Sequence, residues 1–261
     1  MPYLSVRNWI SSNEQQLERI TLLDLPLEAS MRGYQAVEIC HFHFPSIQTS
    51  YLLRLKHAFL DSGISFDTLL LDYGDLSSDD RIKAKADFRY ICEWIEIASI
   101  AGAKQIRIIA GEALATDKAA MQRVARCLME LDEYAAMLET KVVLENFKTL
   151  TSSGDSCLRL LGQTNFQLPF ITDFGNFSGK NKYKDLTMTV PFSVSIHAKP
   201  QYDENGQLDE NDFMQCMEIA RSAGYDGSYV LIHEGSGDAW MALEKVKHLV
   251  MPFLAPTILE Q

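Results

Sequence analysis

The feature that most constrains the fold of this chain is a series of eight short apolar runs that alternate with stretches of helical periodicity. The runs begin about 25 to 40 residues apart, which is the length that a strand, a helix and a return to the next parallel strand require. The predicted strands are Leu4–Trp9, Ala36–His41, Ser65–Leu71, Gln105–Ala110, Lys141–Asn146, Leu168–Asp173, Ser193–Lys199 and Ser228–Glu234. They are apolar at nearly every position, which is typical of parallel strands covered on both faces. Eight such units predict an α/β fold, a closed (β/α)₈ TIM barrel.

The segments between the strands carry the signals of helices. Phe88–Ala101 and Met121–Leu138 have apolar residues three or four positions apart, which predicts amphipathic helices. Gly63, Gly102 and Gly224 each follow a helical segment and precede a strand. Glycine is favoured there because the end of a helix commonly needs a left-handed residue.

The length of the chain and the absence of a linker predict a single domain. Barrels of this kind commonly have about 250 residues, and this chain has 261. No Pro/Gly/Ser-rich segment divides residues 1–261. An open, doubly wound sheet is the alternative fold. It has less support because no Gly-x-Gly-x-x-Gly follows the first strand, so dinucleotide binding is not indicated.

Charge and cysteine content exclude several classes of protein. The net charge is −11, from 24 Lys and Arg against 35 Asp and Glu, which argues against nucleic acid as a partner. Five scattered cysteines without a C-x-x-C pair are typical of reduced thiols. The chain begins without a basic leader, and no window reaches the roughly 18 apolar residues of a membrane span. We therefore expect a soluble cytoplasmic protein that does not bind membranes.

Four of the predicted strands end in residues that commonly bind metal ions. These residues are Glu145, Asp173, His197 and Glu234. In a barrel the carboxyl ends of the strands meet at one face, so the four side chains are expected to point into the same mouth. Three carboxylates would repel one another there unless a cation lay between them. Three oxygen donors with one imidazole suit one divalent ion, Mn²⁺, Mg²⁺ or Co²⁺, with Zn²⁺ also possible.

Further polar residues at the same strand ends are candidates for contacts with a substrate. Glu38 is expected to point inward from the second strand, with His41 and His43 following it at the mouth. Lys199, two residues beyond His197, is expected to hold a substrate oxygen or phosphate. Asn176, three residues after the sixth predicted strand, is a candidate donor in the same place.

Residues near the fourth and third strands have less specific predictions. Arg107 in the fourth strand is expected to form a structural salt bridge. Asp72 or Tyr73, just beyond the third strand, is a candidate to reach the pocket.

These sequence segments together resemble the xylose isomerase-like TIM-barrel superfamily, specifically its sugar-phosphate isomerase/epimerase branch. The matching segments, in order, are GYQAVEIC, AGAKQIRIIAGE, VVLENF, ITDFGN, SIHAKP and GYDGSYVLIHEG. The resemblance implies one divalent metal ion, most often Mn²⁺, held by Glu145, Asp173, His197 and Glu234. It also implies that Glu145 and Glu234 are the catalytic acid/base pair.

The chain departs from the ketose epimerases of that branch at two places. Those enzymes usually have a histidine where Asn176 stands, and an Asp followed by an Arg in the region of Lys199 and Tyr202. The identity of the substrate therefore stays open.

The abasic-site endonucleases of the superfamily need a three-zinc cluster with several more histidines, including one on the fourth strand. This chain has six histidines and reads Ala110, Gly111 and Glu112 at that point, which argues against DNA repair.

The resulting functional prediction is a metal-dependent sugar or sugar-phosphate isomerase or epimerase that acts by proton abstraction through an enediolate. Two alternatives stay open: an inosose-type dehydratase, and a catalytically silent barrel that binds sugar. The expected partner is a small sugar or sugar phosphate, with a homodimer or homotetramer as the possible assembly.

Overall fold

Eight parallel strands close into a barrel in the computed structural model, which describes residues 4–7, 20–204, 206–234 and 238–254. The strands are β1 (Leu4–Arg7), β2 (Ala36–Cys40), β3 (Ser65–Leu70), β4 (Gln105–Arg107), β5 (Lys141–Glu145), β6 (Phe170–Asp173), β7 (Ser193–Ala198) and β8 (Ser228–Leu231). Each strand pairs with the next in the chain, and β8 pairs with β1. The predicted closed barrel is therefore confirmed, and the alternative of an open sheet is excluded.

The helices follow the strands in the order that such a barrel requires. They are α1 (Leu25–Met31), α2 (Thr49–Ser62), α3 (Arg81–Ala101), α4 (Lys118–Met137), α5 (Gly154–Gln163), α6 (Lys182–Thr189), α7 (Glu210–Ser222) and α8 (Ala239–Leu254). The helix predicted over Phe88–Ala101 lies within α3, and the one predicted over Met121–Leu138 reaches one residue beyond the end of α4. Gly63 and Gly102 end α2 and α3 with φ angles of 68° and 83°, as predicted. Gly224 has a φ of 68° just after the end of α7.

The starts of α3 and α4 are fixed by aspartate caps. The side chain of Asp80 accepts hydrogen bonds from the backbone N–H groups of Ile82 and Lys83, and Asp117 accepts one from Ala120. These bonds satisfy N–H groups that have no partner within the first turn of a helix.

The core lies between the strands and the surrounding helices. All residues of β2, β6 and β8 are buried, which confirms that these strands are covered on both faces. The helices contribute one apolar face each, as α4 does with Val124, Leu128 and Leu131. This packing holds the strand ends, and the polar residues on them, in fixed positions.

Several strands are shorter in the structure than the sequence predicted. β6 starts at Phe170 and not at Leu168, because Pro169 has no N–H to contribute to the ladder. β7 ends at Ala198 because the N–H of Lys199 turns back to the carbonyl of His197 (2.8 Å). β4 ends at Arg107 and β8 at Leu231, so Glu234 lies beyond its strand.

Two sequence predictions reach beyond the described residues. The first strand was predicted to continue to Trp9, and residues 8–19 are not described. The single domain was predicted over residues 1–261, and it stays a prediction for the same reason. Among the helices of the described ranges, none combines the length and apolar character that crossing a membrane requires.

Candidate metal centre

Three of the four predicted metal ligands come together at the carboxyl end of the barrel. Glu145 and Asp173 are the last residues of β5 and β6, and His197 is directly paired with Asp173 across the β6–β7 ladder. All three are buried, and one ligand atom from each lies within 4.8 Å of the others. Two carboxylates and an imidazole at this spacing could hold a divalent metal ion.

The ring of His197 is oriented by carboxylates on both sides. Its Nδ1 lies 3.0 Å from Oε1 of Glu145 and 3.5 Å from Oδ2 of Asp173, whereas its Nε2 lies 2.9 Å from Oε2 of Glu38. Burial lowers the pKa of His197, but the charges of Glu38 and Glu145 and hydrogen bonds to Asp173 and Glu145 hold it well above its ordinary value. Nδ1 is therefore the atom that faces the candidate centre.

Asp173 offers one oxygen atom to the centre. Its Oδ1 accepts hydrogen bonds from the backbone N–H groups of Gly175 (2.7 Å) and Asn176 (3.0 Å). Its Oδ2 is buried, and Nδ1 of His197 and Nζ of Lys199 each lie 3.5 Å from it, at the long limit of a hydrogen bond. A divalent ion would bind this oxygen directly, which the two nitrogens do not, and would offset the cost of burying the carboxylate, so the donor set fits a metal ion.

Glu145 is held between a cation and an amide. Nε of Arg107 lies 2.8 Å from its Oε2, and Nδ2 of Asn176 donates to its Oε1 (3.3 Å). The Arg107 guanidinium also donates to the carbonyl of Leu71 (2.9 Å) and to the carboxylate of Asp72. The predicted salt bridge of Arg107 is confirmed, and its partners place it inside the site.

A cavity of about 240 Å³ opens beside the candidate centre. Its lining residues are Phe42, Asp72, Arg107, Glu145, Phe147, Asn176, Lys199 and Glu234. Of the two candidates Asp72 and Tyr73, Asp72 is the one that lines the cavity. Drug-sized ligands occupy pockets of about 300 to 1,000 Å³, so a cavity of this size suits a molecule no larger than a monosaccharide.

The sequence reasoning missed the two aromatic residues of the lining. Phe42 follows β2, and Phe147 stands two residues after Glu145. The Arg107 guanidinium packs over the Phe147 ring, with Cζ 4.9 Å from its centre. Their position just after strand ends was the available signal, since in a barrel such residues line the mouth.

Lys199 and Glu234 lie together at the outer part of the cavity. The ammonium of Lys199 donates to Oδ1 of Asn176 (2.8 Å), and it lies 3.6 Å from Oε2 of Glu234. The Glu234 side chain is 38% exposed. Glu234 thus shares the cavity with Glu145 but lies outside the three-residue cluster, and its role as a ligand stays a prediction.

The structure places the other predicted substrate contacts away from the cavity lining. Glu38 is fully buried behind His197, and the ring of His43 packs against Phe42 with 4.5 Å between ring centres. Nδ1 of His41 accepts a hydrogen bond from the N–H of Asp72 (3.3 Å). Burial lowers the pKa of His41, with the positive charge of Arg107 acting in the same direction against the charge of Asp72. Their contacts with a substrate stay predictions.

The protein is thus a closed parallel barrel with a candidate metal centre. Two carboxylates and an imidazole form this centre at the carboxyl ends of neighbouring strands. Residues 27–248 match the family model described as "Xylose isomerase-like TIM barrel". The chain belongs to this family, which confirms the resemblance found in the sequence.

Solved structures with the same fold span nearly the whole chain. The 3-keto-D-glucoside 4-epimerase YcjR from E. coli has a TM-score of 0.69 at 17% identity, covering 97% of this chain and 100% of its own. The probable 3-DHS dehydratase AsbF from Bacillus anthracis has a TM-score of 0.70 at 19% identity, covering 97% and 99%. A xylose isomerase-like barrel from Mycobacterium smegmatis in complex with magnesium has a TM-score of 0.65 at 15% identity, covering 89% of each chain. At these identities the likeness shows the fold. A search of curated proteins found no match to this sequence.

Proposed function

We propose that this protein is a divalent-metal-dependent isomerase or epimerase of a small sugar, acting by proton abstraction. The observation that carries the proposal is the buried cluster of Glu145, Asp173 and His197 beside a cavity of monosaccharide size. Family membership and the epimerase among the similar structures support it.

In this proposal Glu145, Asp173 and His197 hold the metal ion, and Glu234 completes the set from the outer part of the cavity. Mn²⁺ is the proposed ion, with Mg²⁺, Co²⁺ and Zn²⁺ as alternatives that the same donors accept. When bound, a divalent ion supplies charge that polarises a substrate carbonyl and stabilises an enediolate.

The two glutamates are the proposed acid/base pair. Glu145 is buried with Arg107 on one oxygen, whereas Glu234 is partly exposed beside Lys199. Both line the cavity, which supports the proposal that one carboxylate removes a proton from a substrate carbon and the other returns one. The side chains of Asn176 and Lys199 lie between them and are proposed to bind substrate oxygens.

The charges of the cavity favour an uncharged sugar over a sugar phosphate. The lining contains three carboxylates and two cations, and each cation already faces at least one carboxylate. A substrate phosphate would have to compete with these carboxylates for Arg107 or Lys199. The rings of Phe42 and Phe147 provide apolar surface for the C–H groups of a sugar.

The experiment that tests the proposal is exchange of substrate hydrogen with solvent. The protein is loaded with Mn²⁺ and incubated in D₂O with D-psicose, D-tagatose, L-ribulose and their phosphates, and deuterium at carbon is followed by NMR. Glu145→Gln is expected to lower the exchange rate by about 100-fold or more, because general base catalysis contributes roughly 10²- to 10⁴-fold.

The metal content of Glu145→Gln is measured beside its activity, so that loss of the ion is separated from loss of the base. Exchange that continues unchanged in this variant would remove Glu145 from the mechanism. A wild-type protein that binds neither Mn²⁺ nor Mg²⁺ would instead favour a silent sugar-binding barrel.

A dehydratase is the second candidate, and it uses the same proposed metal and base. It is favoured by the similarity to the probable 3-DHS dehydratase and by Asn176, which stands where ketose epimerases usually have a histidine. Product analysis separates the two reactions. Loss of water with an unsaturated product from an inosose supports the dehydratase, whereas a product of unchanged mass supports the isomerase.

A further inference from the structure

The side chain of Lys199 lies in a space that exists because residue 175 is glycine. A Cβ atom added to Gly175 would lie 2.3 Å from Cε of Lys199, 3.1 Å from its Cγ and 3.2 Å from its Cδ. The first of these distances is far below van der Waals contact, so any side chain at position 175 must displace the lysine.

The glycine is required here for space and not for backbone conformation. Gly175 is absent from the described residues with a positive φ, so the backbone at this position also suits alanine. Its own position is fixed by two hydrogen bonds. Its N–H donates to Oδ1 of Asp173 (2.7 Å), and its carbonyl accepts from Nε2 of Gln201 (3.1 Å).

The neighbouring residue fixes the end of the same lysine. The ammonium of Lys199 donates to Oδ1 of Asn176 (2.8 Å), and the Lys199 side chain is only 12% exposed. The ammonium then lies 3.5 Å from Oδ2 of Asp173 and 3.6 Å from Oε2 of Glu234. Gly175 thus admits the aliphatic stem, and Asn176 holds the charged end between the two carboxylates.

We propose that Gly175 is a positioning residue for Lys199, which it seats at the cavity so that the ammonium can donate to the substrate oxygen that gains negative charge. The inference rests on the proposed function for the role of Lys199 toward substrate. The coupling between Gly175 and the lysine stem can be tested without any substrate.

The substrate-free test compares how fast Lys199 reacts with an amine-acylating reagent, followed by peptide mass mapping. In the native protein Lys199 is expected to react slowly, because its ammonium is enclosed and hydrogen-bonded. In Gly175→Ala the displaced lysine is expected to react several-fold faster. Lys184, which is 66% exposed, is the internal reference and its rate should not change.

Gly162→Ala is the matched control for the glycine substitution. Gly162 lies in α5, and a Cβ there would meet Phe166 only at 3.8 Å or more, which is ordinary contact. This variant is expected to leave the Lys199 rate as in the wild type. A Lys199 rate in Gly175→Ala within twofold of wild type, in a protein that still unfolds cooperatively, would overturn the proposal.

The catalytic part is tested by a double-mutant cycle in the exchange assay. Gly175→Ala and Lys199→Ala are each expected to lower kcat by about 10- to 100-fold, since misplacing a reacting group by about 1 Å can cost that much. Lys199→Ala removes all three atoms that the new Cβ would meet. Adding Gly175→Ala to it should therefore change kcat by less than twofold.

Full additivity of the two kcat losses would show that Gly175 acts independently of Lys199, which contradicts the proposal. Mn²⁺ affinity is measured in all variants and should not weaken, because Lys199→Ala removes a positive charge 3.5 Å from Oδ2 of Asp173, whereas a general disturbance of the centre would weaken it. Failure of the wild type to exchange any sugar would contradict the proposed function, while the acylation result would still decide whether Gly175 seats Lys199.

Discussion

At the level of single residues, the site depends on buried charges that are paired across the barrel. Glu38 on β2 and Glu145 on β5 contact opposite nitrogens of His197, and all three side chains are almost completely buried. A histidine ligand that gives its second nitrogen to a carboxylate is held in one orientation and binds metal more strongly. Glu38 therefore has a place in the site although it is absent from the cavity lining.

The first prediction concerns this carboxylate. Glu38→Gln keeps the size of the side chain but removes its charge, so it should weaken the Mn²⁺ affinity of the protein by about 10- to 100-fold. Isothermal titration with Mn²⁺ measures the change. Glu93→Gln, at an exposed position of α3, is the control and should bind Mn²⁺ as the wild type does. Equal affinities in Glu38→Gln and wild type would show that Glu38 does not support His197.

The sequence predicted the three residues of the buried cluster together, but not how the other polar residues are arranged around them. Glu145, Asp173 and His197 were predicted together because parallel strands end at one face, and the strand pattern located their ends. The position of Glu234 depends on the course of the chain beyond β8, which periodicity does not describe. The pairing of Glu38 with His197 across the barrel likewise has no counterpart in local sequence.

At the level of elements, the loops after β3 and β4 are joined by a small hydrogen-bond network. Oδ1 of Asp75 accepts from the N–H groups of Ser77 (3.0 Å) and Glu112 (3.2 Å), and Oγ of Ser77 accepts from the N–H of Ala113 (2.9 Å). These bonds fix the loop that begins with Asp72, the partner of Arg107. The helices and strands were predictable from periodicity, but such contacts between loops were not, because they join residues distant in sequence.

The second prediction concerns the glycine in this network. Gly111 has a φ of 143°, and a Cβ there would lie 2.4 Å from Oγ of Ser77 and 2.7 Å from Oδ1 of Asp75. Gly111→Ala should therefore lower the free energy of unfolding by about 1 to 3 kcal/mol. Urea denaturation measures it, with Gly162→Ala expected to stay near wild type or slightly above. A Gly111→Ala protein as stable as the wild type would contradict the close approach of the two loops.

At the level of the whole molecule, the barrel buries most of its thiols. Cys40, Cys157 and Cys216 are buried, whereas Cys92 and Cys127 are half-buried on α3 and α4. Burial raises the pKa of Cys216 to about 12, with Lys182 opposing the shift and Asp212 adding to it. Burial also raises the pKa of Cys157 strongly. These thiols are protonated at neutral pH and enclosed, so they are poor nucleophiles.

The third prediction follows from this difference in burial. The folded protein should react with a disulfide reagent at Cys92 and Cys127 at most, and with all five thiols once it is unfolded in urea. Absorbance of the released thiolate measures the number of reacting groups. The double variant Cys92→Ser/Cys127→Ser should show no reaction while folded. Rapid reaction of Cys157 or Cys216 in the folded protein would show that the barrel opens more readily than its packing indicates.

The pairing of β1 with β8 has a consequence for how the protein is made. Leu4, Ser5 and Val6 align with Tyr229, Val230 and Leu231, so β1 finds this neighbour only after β2 to β8 have all been synthesised. Until then β1 and the most recent strand both expose unpaired backbone, which favours pairing with other chains. During translation this barrel is therefore open on one side, and it depends on its last strand to become a ring.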